Sequence, residues 1–341
     1  MEDKRIAADA GTDETRGDGH AGAETLAKSD FATRGKIVAR LKKNDFVKNA
    51  GRYSLLLPSL IFMIVFAYLP MFGIVMAFQD YDPIAGFFGS KLNGFANFRF
   101  FFASGEWMQV TLNTLYLNAL FILTGTATSV FLAVVMSELQ CKPFTRVSQT
   151  LMTLPNFVSW ATVAMFSVAF LKADGIINAA IKIMGGTPID FYSDPDVWVE
   201  VFVILRIWKS AGWNSIVYMA AILGIDKSIY EAATIDGASR VKCIFSITLP
   251  LIKNTVVLMT IMNIGSIFKG DFGMIYPFVG DNTELLHTTD VIDTYVLRAL
   301  STFPNYGETA AVGLYQSVMG FAFVIVSNAL AKRYAPESAV F

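Results

Sequence analysis

The chain has 341 residues, 54% of them hydrophobic and only 16% charged, with a formal net charge of −1. This is too apolar for an ordinary soluble domain, and it has no overall charge that would draw it to nucleic acid. With two cysteines, two histidines and no GxxxxGK[ST] run, it has no disulfide framework, no cluster at metal-ligand spacing and no phosphate loop of its own.

Residues 1–33 are rich in Ala, Gly, Asp, Glu and Thr, a composition expected to stay disordered. Arg34, Lys36, Arg40, Lys42, Lys43, Lys48 and Arg52 follow and read as a basic cytoplasmic anchor. The first apolar segment, about 53–78, is too long for the core of a cleavable signal peptide. It predicts a retained transmembrane helix with Pro58 and Pro70 near its ends or at kinks. Residues 79–110 carry Phe98, Phe100, Phe101, Phe102 and Trp107, suited to a membrane interface.

Further apolar segments at about 111–136, 150–171, 199–223, 253–275 and 309–331 bring the expected spans to six, each near the ~20 residues a bilayer requires. Lys269, Gly270 and Asp271 interrupt the fifth of these six near its end. With the N-terminus inside, the segments facing the cytoplasm hold fifteen basic residues. The other side holds five: Lys91, Arg99, Lys172, Lys182 and Arg298. This asymmetry predicts a multi-pass protein of the cell membrane with both termini cytoplasmic. Cys141 and Cys243 then fall in cytoplasmic loops, where thiols stay reduced.

Between the fourth and fifth spans lies a polar island, YEAATIDGASRVKCIFSITLPL, from Tyr230 to Leu251. Ser228 and Glu231 have the spacing of a capping box, and Ile229, Ala232 and Ala233 share one helical face. Gly237 suits the left-handed residue that ends such a helix, and Pro250 is expected to limit the next. On these features alone the island also reads as an ordinary capped amphipathic loop.

The full spacing is Glu231-Ala232-Ala233, then Gly237, then Ile247, Leu249 and Pro250. It resembles the signature loop of binding-protein-dependent ABC importer permeases. The segment Asp290–Arg298, with Tyr306 and Ala311–Ser317, is similar to the LplB-like oligosaccharide and polysaccharide group of the carbohydrate-uptake family. Asn97-Phe98, Trp107 and Asn113-Thr114 resemble the start of the conserved-fold helices in sugar permeases.

The resemblance implies an all-α, polytopic membrane protein with a MetI-like ABC importer permease fold and six transmembrane helices. It divides the chain into a cytoplasmic segment (1–50), a first helix with an extracytoplasmic segment (51–110), a transmembrane domain (111–333) with coupling loop 224–252, and a tail (334–341). It also implies a cytoplasmic ABC ATPase dimer that uses ATP-Mg, a second permease subunit of different sequence, an extracytoplasmic sugar-binding protein and membrane lipid as partners. No cofactor on this chain and no nucleic acid are expected.

Within the spans, Arg206, Lys209, Lys269 and Asp271 are costly charges that read as snorkelling or interhelical pairs, or as part of a pathway. Sugars are bound by polar groups at their hydroxyls and by flat rings at their C–H faces. Asn156, Trp160, Trp208, Lys209, Trp213, Asn214, Tyr218 and Asn263 are therefore the pathway candidates. A polytopic membrane enzyme would need a nucleophile, metal site or carboxylate pair. An ion-coupled secondary transporter would favour intramembrane carboxylates and leave the loop unexplained.

Overall fold

A computed structural model describes residues 49–139, 141–302 and 305–334; the expected disordered tail, the basic stretch through Lys48 and the C-terminal residues beyond Tyr334 lie outside them. The chain divides after Phe72 into two compact units.

In the first unit, helix α1 (Ala50–Met63) contains Pro58 and runs into a π turn, Ile64–Tyr68, and a short turn, Leu69–Met71. Pro70 has no N–H to donate, and its ring crowds the carbonyl four residues back. A widened turn just before it lets the helix continue. Leu55, Leu60, Phe62 and Phe66 are all exposed, and the run Tyr53–Phe78 is long and apolar enough to cross a membrane. A helix of that kind belongs in lipid.

The second unit begins with a small antiparallel hairpin, in which Gln79 pairs with Leu92 and Asp80 with Lys91. A short helix, Ala96–Ala103, follows. Then come α2 (Glu106–Glu138), α3 (Lys142–Thr153), α4 (Trp160–Leu171), α5 (Val197–Leu223) and α6 (Lys227–Ile235). Further along come α7 (Leu249–Ile264), α8 (Phe272–Val279), α9 (Ile292–Thr302) and α10 (Tyr306–Tyr334), with shorter helices between.

Among the described residues, five helices are long and apolar enough to cross a membrane: Tyr53–Phe78, Glu106–Glu138, Trp160–Ile183, Arg240–Ile264 and Tyr306–Leu330. The remaining expected span, about 199–223, is α5. At 27 residues it is roughly 40 Å long, enough for the ~30 Å hydrocarbon layer, but Glu200, Arg206 and Lys209 lower its apolarity.

Two expected boundaries are corrected. The segment expected from 150 starts its apolar helix only at Trp160, because Leu154–Phe157 forms a tight turn and Ser159 caps a new helix by accepting from the Thr162 N–H at 3.1 Å. The segment expected from 253 begins as a helix at Arg240 and ends at Ile264. Pro250 does not stop it: a second π turn, Ile244–Thr248, precedes Leu249-Pro250 just as one precedes Leu69-Pro70. Cys243 consequently lies in a helix and is buried, while Cys141 is exposed.

α5 packs along α2 and is wrapped by α3, α7 and the Leu154–Phe157 turn. The largest core joins Trp198 and Phe202 of α5 to Met274, Ile275 and Phe278 of α8 and to Val163 of α4. The Trp198 ring is anchored because its Nε1 donates to the Phe191 carbonyl at 2.5 Å. Where α5 meets α3, Gly212 approaches so closely that a Cβ there would lie 2.0 Å from the Met152 carbonyl oxygen.

Candidate functional site: a capped loop helix and a polar cavity

The loop after α5 is built by local capping. Asp226, rather than the expected Ser228, starts α6: its Oδ1 accepts from the Ser228 N–H at 3.0 Å. Hydrogen bonds from Ser228 hold the Asp226 carboxyl below the usual carboxylate range. Aspartate two residues earlier competes for the same helix donors and adds a negative charge at the positive end of the helix.

At the other end Gly237 has φ +80°, with the Ala238 N–H on the Ala233 carbonyl at 2.9 Å and the Gly237 N–H on the Thr234 carbonyl at 3.1 Å. This is the paired-bond ending that favours glycine. Ser239 then caps the following helix, accepting from the Lys242 N–H at 3.3 Å. Glu231 and Ala232 are exposed and Ala233 half-buried. Ile247 and Leu249, by contrast, are half-buried in the returning helix with Pro250 beside them, so that part of the motif shapes the helix rather than the exposed face.

Farther along α5, four residues one turn apart, Arg206, Ser210, Asn214 and Tyr218, face a cavity of about 130 Å³. Asn118, Thr126 and Ser129 of α2 and Asn263 and Ser266 beyond it complete the polar lining, with Phe121 and Met259 as apolar walls. The Arg206 guanidinium pairs with Asp271 and lies over the Phe121 ring, 5.6 Å from its centre. Ligand pockets generally span ~300–1,000 Å³, so this conformation is closed to an oligosaccharide.

Of the sequence candidates, Asn214, Tyr218 and Asn263 meet in this cavity, and the other five do not line it. Lys209, one turn along α5 from Arg206, is buried, and its ammonium donates to the Asn156 carbonyl at 2.9 Å and to those of Pro155 and Val158. Trp160 supports it with its ring centre 5.2 Å from Nζ. Asn156 takes part through its backbone. In this conformation Lys209 therefore fastens the break between α3 and α4. Trp208 lines an apolar groove with Phe166 and Ile204, and Trp213 is exposed, edge-on to Phe157 at 5.8 Å. Sequence reasoning missed Asn118, Thr126, Ser129, Ser210 and Ser266 as lining residues; on α5 the four-residue spacing from Arg206 to Tyr218 was the available signal.

The segment Asp290–Arg298 is an internal latch. Asn113 Nδ2 donates to the His287 and Asp290 carbonyls at 3.0 and 3.1 Å, and Thr114 Oγ1 accepts from the Ile292 N–H at 3.0 Å. Asp290 is buried, takes the Thr294 hydroxyl at 2.8 Å and pairs with Arg298, which also reaches Glu106 at 3.5 Å. Burial pushes the Asp290 carboxyl from the ordinary 3.8 up to about 6, against the opposing pull of Arg298 and Thr294. Burial likewise raises Asp293, although it accepts from the Gly270 N–H at 2.5 Å and from Gln316 Nε2 at 2.8 Å.

A bundle of membrane-length helices, interrupted by an exposed, doubly capped loop helix and enclosing a polar lining whose one charged side chain is an arginine, fits a transport protein of the membrane. The chain belongs to the family described as binding-protein-dependent transport system inner membrane component, whose model matches residues 125–336. It is therefore a multi-pass permease subunit rather than an enzyme.

It is 35% identical over 321 residues to protein LplB of Bacillus subtilis, covering 92% of this chain and 99% of that one. It is also 35% identical over 286 residues to the polygalacturonan/rhamnogalacturonan transport system permease protein YteP of the same organism, covering 84% and 88%. Among solved structures, it is similar to a chain of the bacterial alginate ABC transporter in complex with an alginate pentasaccharide-bound periplasmic protein. The TM-score is 0.77 and the identity 32%, with 85% of this chain and 96% of that one covered.

Proposed function

We propose that this chain is one of two permease subunits of an ATP-driven, binding-protein-dependent importer that moves a saccharide of the oligosaccharide class across the cell membrane. The observation that carries the reading is the exposed α6 helix, capped by Asp226 and ended by left-handed Gly237. It offers Glu231, Ala232 and Ala233 to a cytoplasmic ABC ATPase dimer, where ATP-Mg is hydrolysed. Gly237, Ile247, Leu249 and Pro250 set the geometry of the loop and of the helix returning from it.

The basic-residue asymmetry supports a cytoplasmic position for this loop and for both termini. It likewise supports the division into an N-terminal segment (1–50), a first helix and extracytoplasmic segment (51–110), a transmembrane domain (111–333) and a tail (334–341). α5 supplies the span whose charge makes it the least lipid-like. Saccharide cargo, delivered by an extracytoplasmic binding protein, is supported by relatives that transport polygalacturonan/rhamnogalacturonan or alginate. The amides and phenol of Asn214, Tyr218 and Asn263 suit a polyhydroxyl ligand. Asn156, Trp160, Trp208, Lys209 and Trp213 surround this pathway and reach substrate only through rearrangement of the α3–α4 break or at the subunit interface.

The test is purification of the tagged chain from its native membranes, with identification of bound proteins and measurement of ATPase activity. An ABC ATPase and a second permease should co-purify, and a saccharide-loaded binding protein should stimulate hydrolysis. A lone chain with its own catalytic activity, or loss of amino-acid uptake with intact saccharide uptake on deletion, would overturn the reading.

A further inference from the structure

The cavity lining contains a single charged residue, Arg206, on a wall otherwise made of amides, hydroxyls, a phenol and apolar side chains. An uncharged sugar needs no guanidinium there, and an unpaired cation within a span is costly. The structure resolves that cost with Asp271, a carboxylate contributed from beyond α7. The side chains of both partners remain partly accessible, 34% for Arg206 and 27% for Asp271, and Arg206 itself lines the cavity. Lys209, one turn along, offers no competing site because its ammonium is buried among carbonyls.

We infer that Arg206 selects acidic saccharides, holding Asp271 at rest and exchanging it for a uronate carboxylate on the cargo; this rests on the saccharide-importer reading. The resting pair already displays one guanidinium–carboxylate bond of the kind a uronate would make. A guanidinium presents a rigid fork to a carboxylate, and charge-assisted bonds are roughly twice as strong as those from a neutral hydroxyl. A neutral sugar therefore displaces Asp271 poorly, whereas a uronate replaces it with a chemical equal. Asp271 has a second role that makes release tolerable: its Oδ1 caps α8 by accepting from the Met274 N–H at 3.2 Å. Freed from Arg206, it stays at the positive end of that helix instead of being stranded. Because one carboxylate replaces another, the exchange is nearly balanced, and cargo can enter without being trapped.

The test complements a strain lacking this chain with wild type, R206Q, R206K and D271N, each quantified in the membrane. Uptake of labelled oligogalacturonate is compared with that of the same oligomer after reduction of its carboxyls. The acid-to-reduced uptake ratio should fall about tenfold in R206Q, the factor given by ~1.4 kcal/mol of lost discrimination. It should recover only partly in R206K, which keeps the charge but not the fork. D271N, whose amide can still cap α8, should lower the KM for the acidic oligomer by removing the resident competitor.

An R206Q strain that loses both oligomers in proportion, or neither, overturns the assignment, as does an unchanged KM in D271N, which decides the matter if R206Q fails to insert. Wild-type uptake of the reduced oligomer alone overturns it while leaving a saccharide importer standing. Deletion without effect on either oligomer removes both the assignment and the importer reading.

Discussion

The two ends of α2 are finished in opposite ways. At its start, Glu106, Gln109, Asn113 and Thr114 are all bonded to residues of the Leu286–Arg298 region, so polar groups there are satisfied within the chain. At its far end Glu138 lines a hollow with Ile225, Lys227 and Tyr230 of the loop, where one side-chain bond, Tyr230 to Thr248 at 2.9 Å, ties α6 to the next helix. Ile229 and Ile235 of α6 are 42% and 87% exposed. A region that closes its own hydrogen bonds is structural, whereas one that caps its backbone yet leaves apolar side chains uncovered is prepared for another surface.

That contrast breaks down if damage to the latch and damage to the loop have the same phenotype. The largest effect is expected from Gly270→Val, since even a Cβ at this position would lie 2.5 Å from Val291 Cγ2 and 2.8 Å from Asp293 Oδ2. Overpacking of about 3 kcal/mol should sharply lower the yield of monodisperse protein in size-exclusion chromatography.

Next comes Asp290→Asn. The Asp290 carboxyl has a higher pKa in the folded chain than its ordinary value, so its stabilising contribution is complete below about 3.8 and is lost as pH rises through about 6. The stability of wild type relative to the variant should therefore decline by on the order of 2 kcal/mol between about pH 4 and about pH 7. Asp293 shifts in the same direction and remains in both proteins. A difference independent of pH in thermal unfolding would contradict the buried carboxylate.

The smallest effect on stability belongs to Gly237→Val, where φ of +80° penalises a side chain by roughly 1–2 kcal/mol. Membrane levels should hold while ATP-driven uptake falls. Transport that survives both this change and Glu231→Lys would remove the coupling role from the loop.

Residues near one another in sequence were read well, because capping and turn chemistry are local. Gly237 was legible as the left-handed end of a helix, and Ile229, Ala232 and Ala233 as one helical face. The shift of the cap from Ser228 to Asp226 is a contest between two good caps, which sequence leaves open. Pro250 misled because a π turn absorbs it, a solution set by the backbone upstream.

The cavity was only half legible. Asn214, Tyr218 and Asn263 follow from chemistry and helical spacing, but Asn118, Thr126 and Ser129 become lining residues only when α2 and α5 pack. Lys209 shows the limit most clearly. Its charge left snorkelling, an interhelical pair and a place in the pathway all open, and its partners are carbonyls more than fifty positions earlier, exposed by a break in a segment expected to be one continuous helix.

The contact at Gly212 has a mechanical consequence. With backbone against backbone at Met152, α3 and α5 leave no side-chain layer to shear at that point, and Lys209, one turn away, bolts α5 to the turn that follows α3. Only Gly224, Ile225 and Asp226 separate α5 from α6. Arg206 therefore stands about 26 Å along one continuous helix from the three-residue joint that carries α6, so a push on the loop helix is expected to travel toward it along a rod rather than through a hinge.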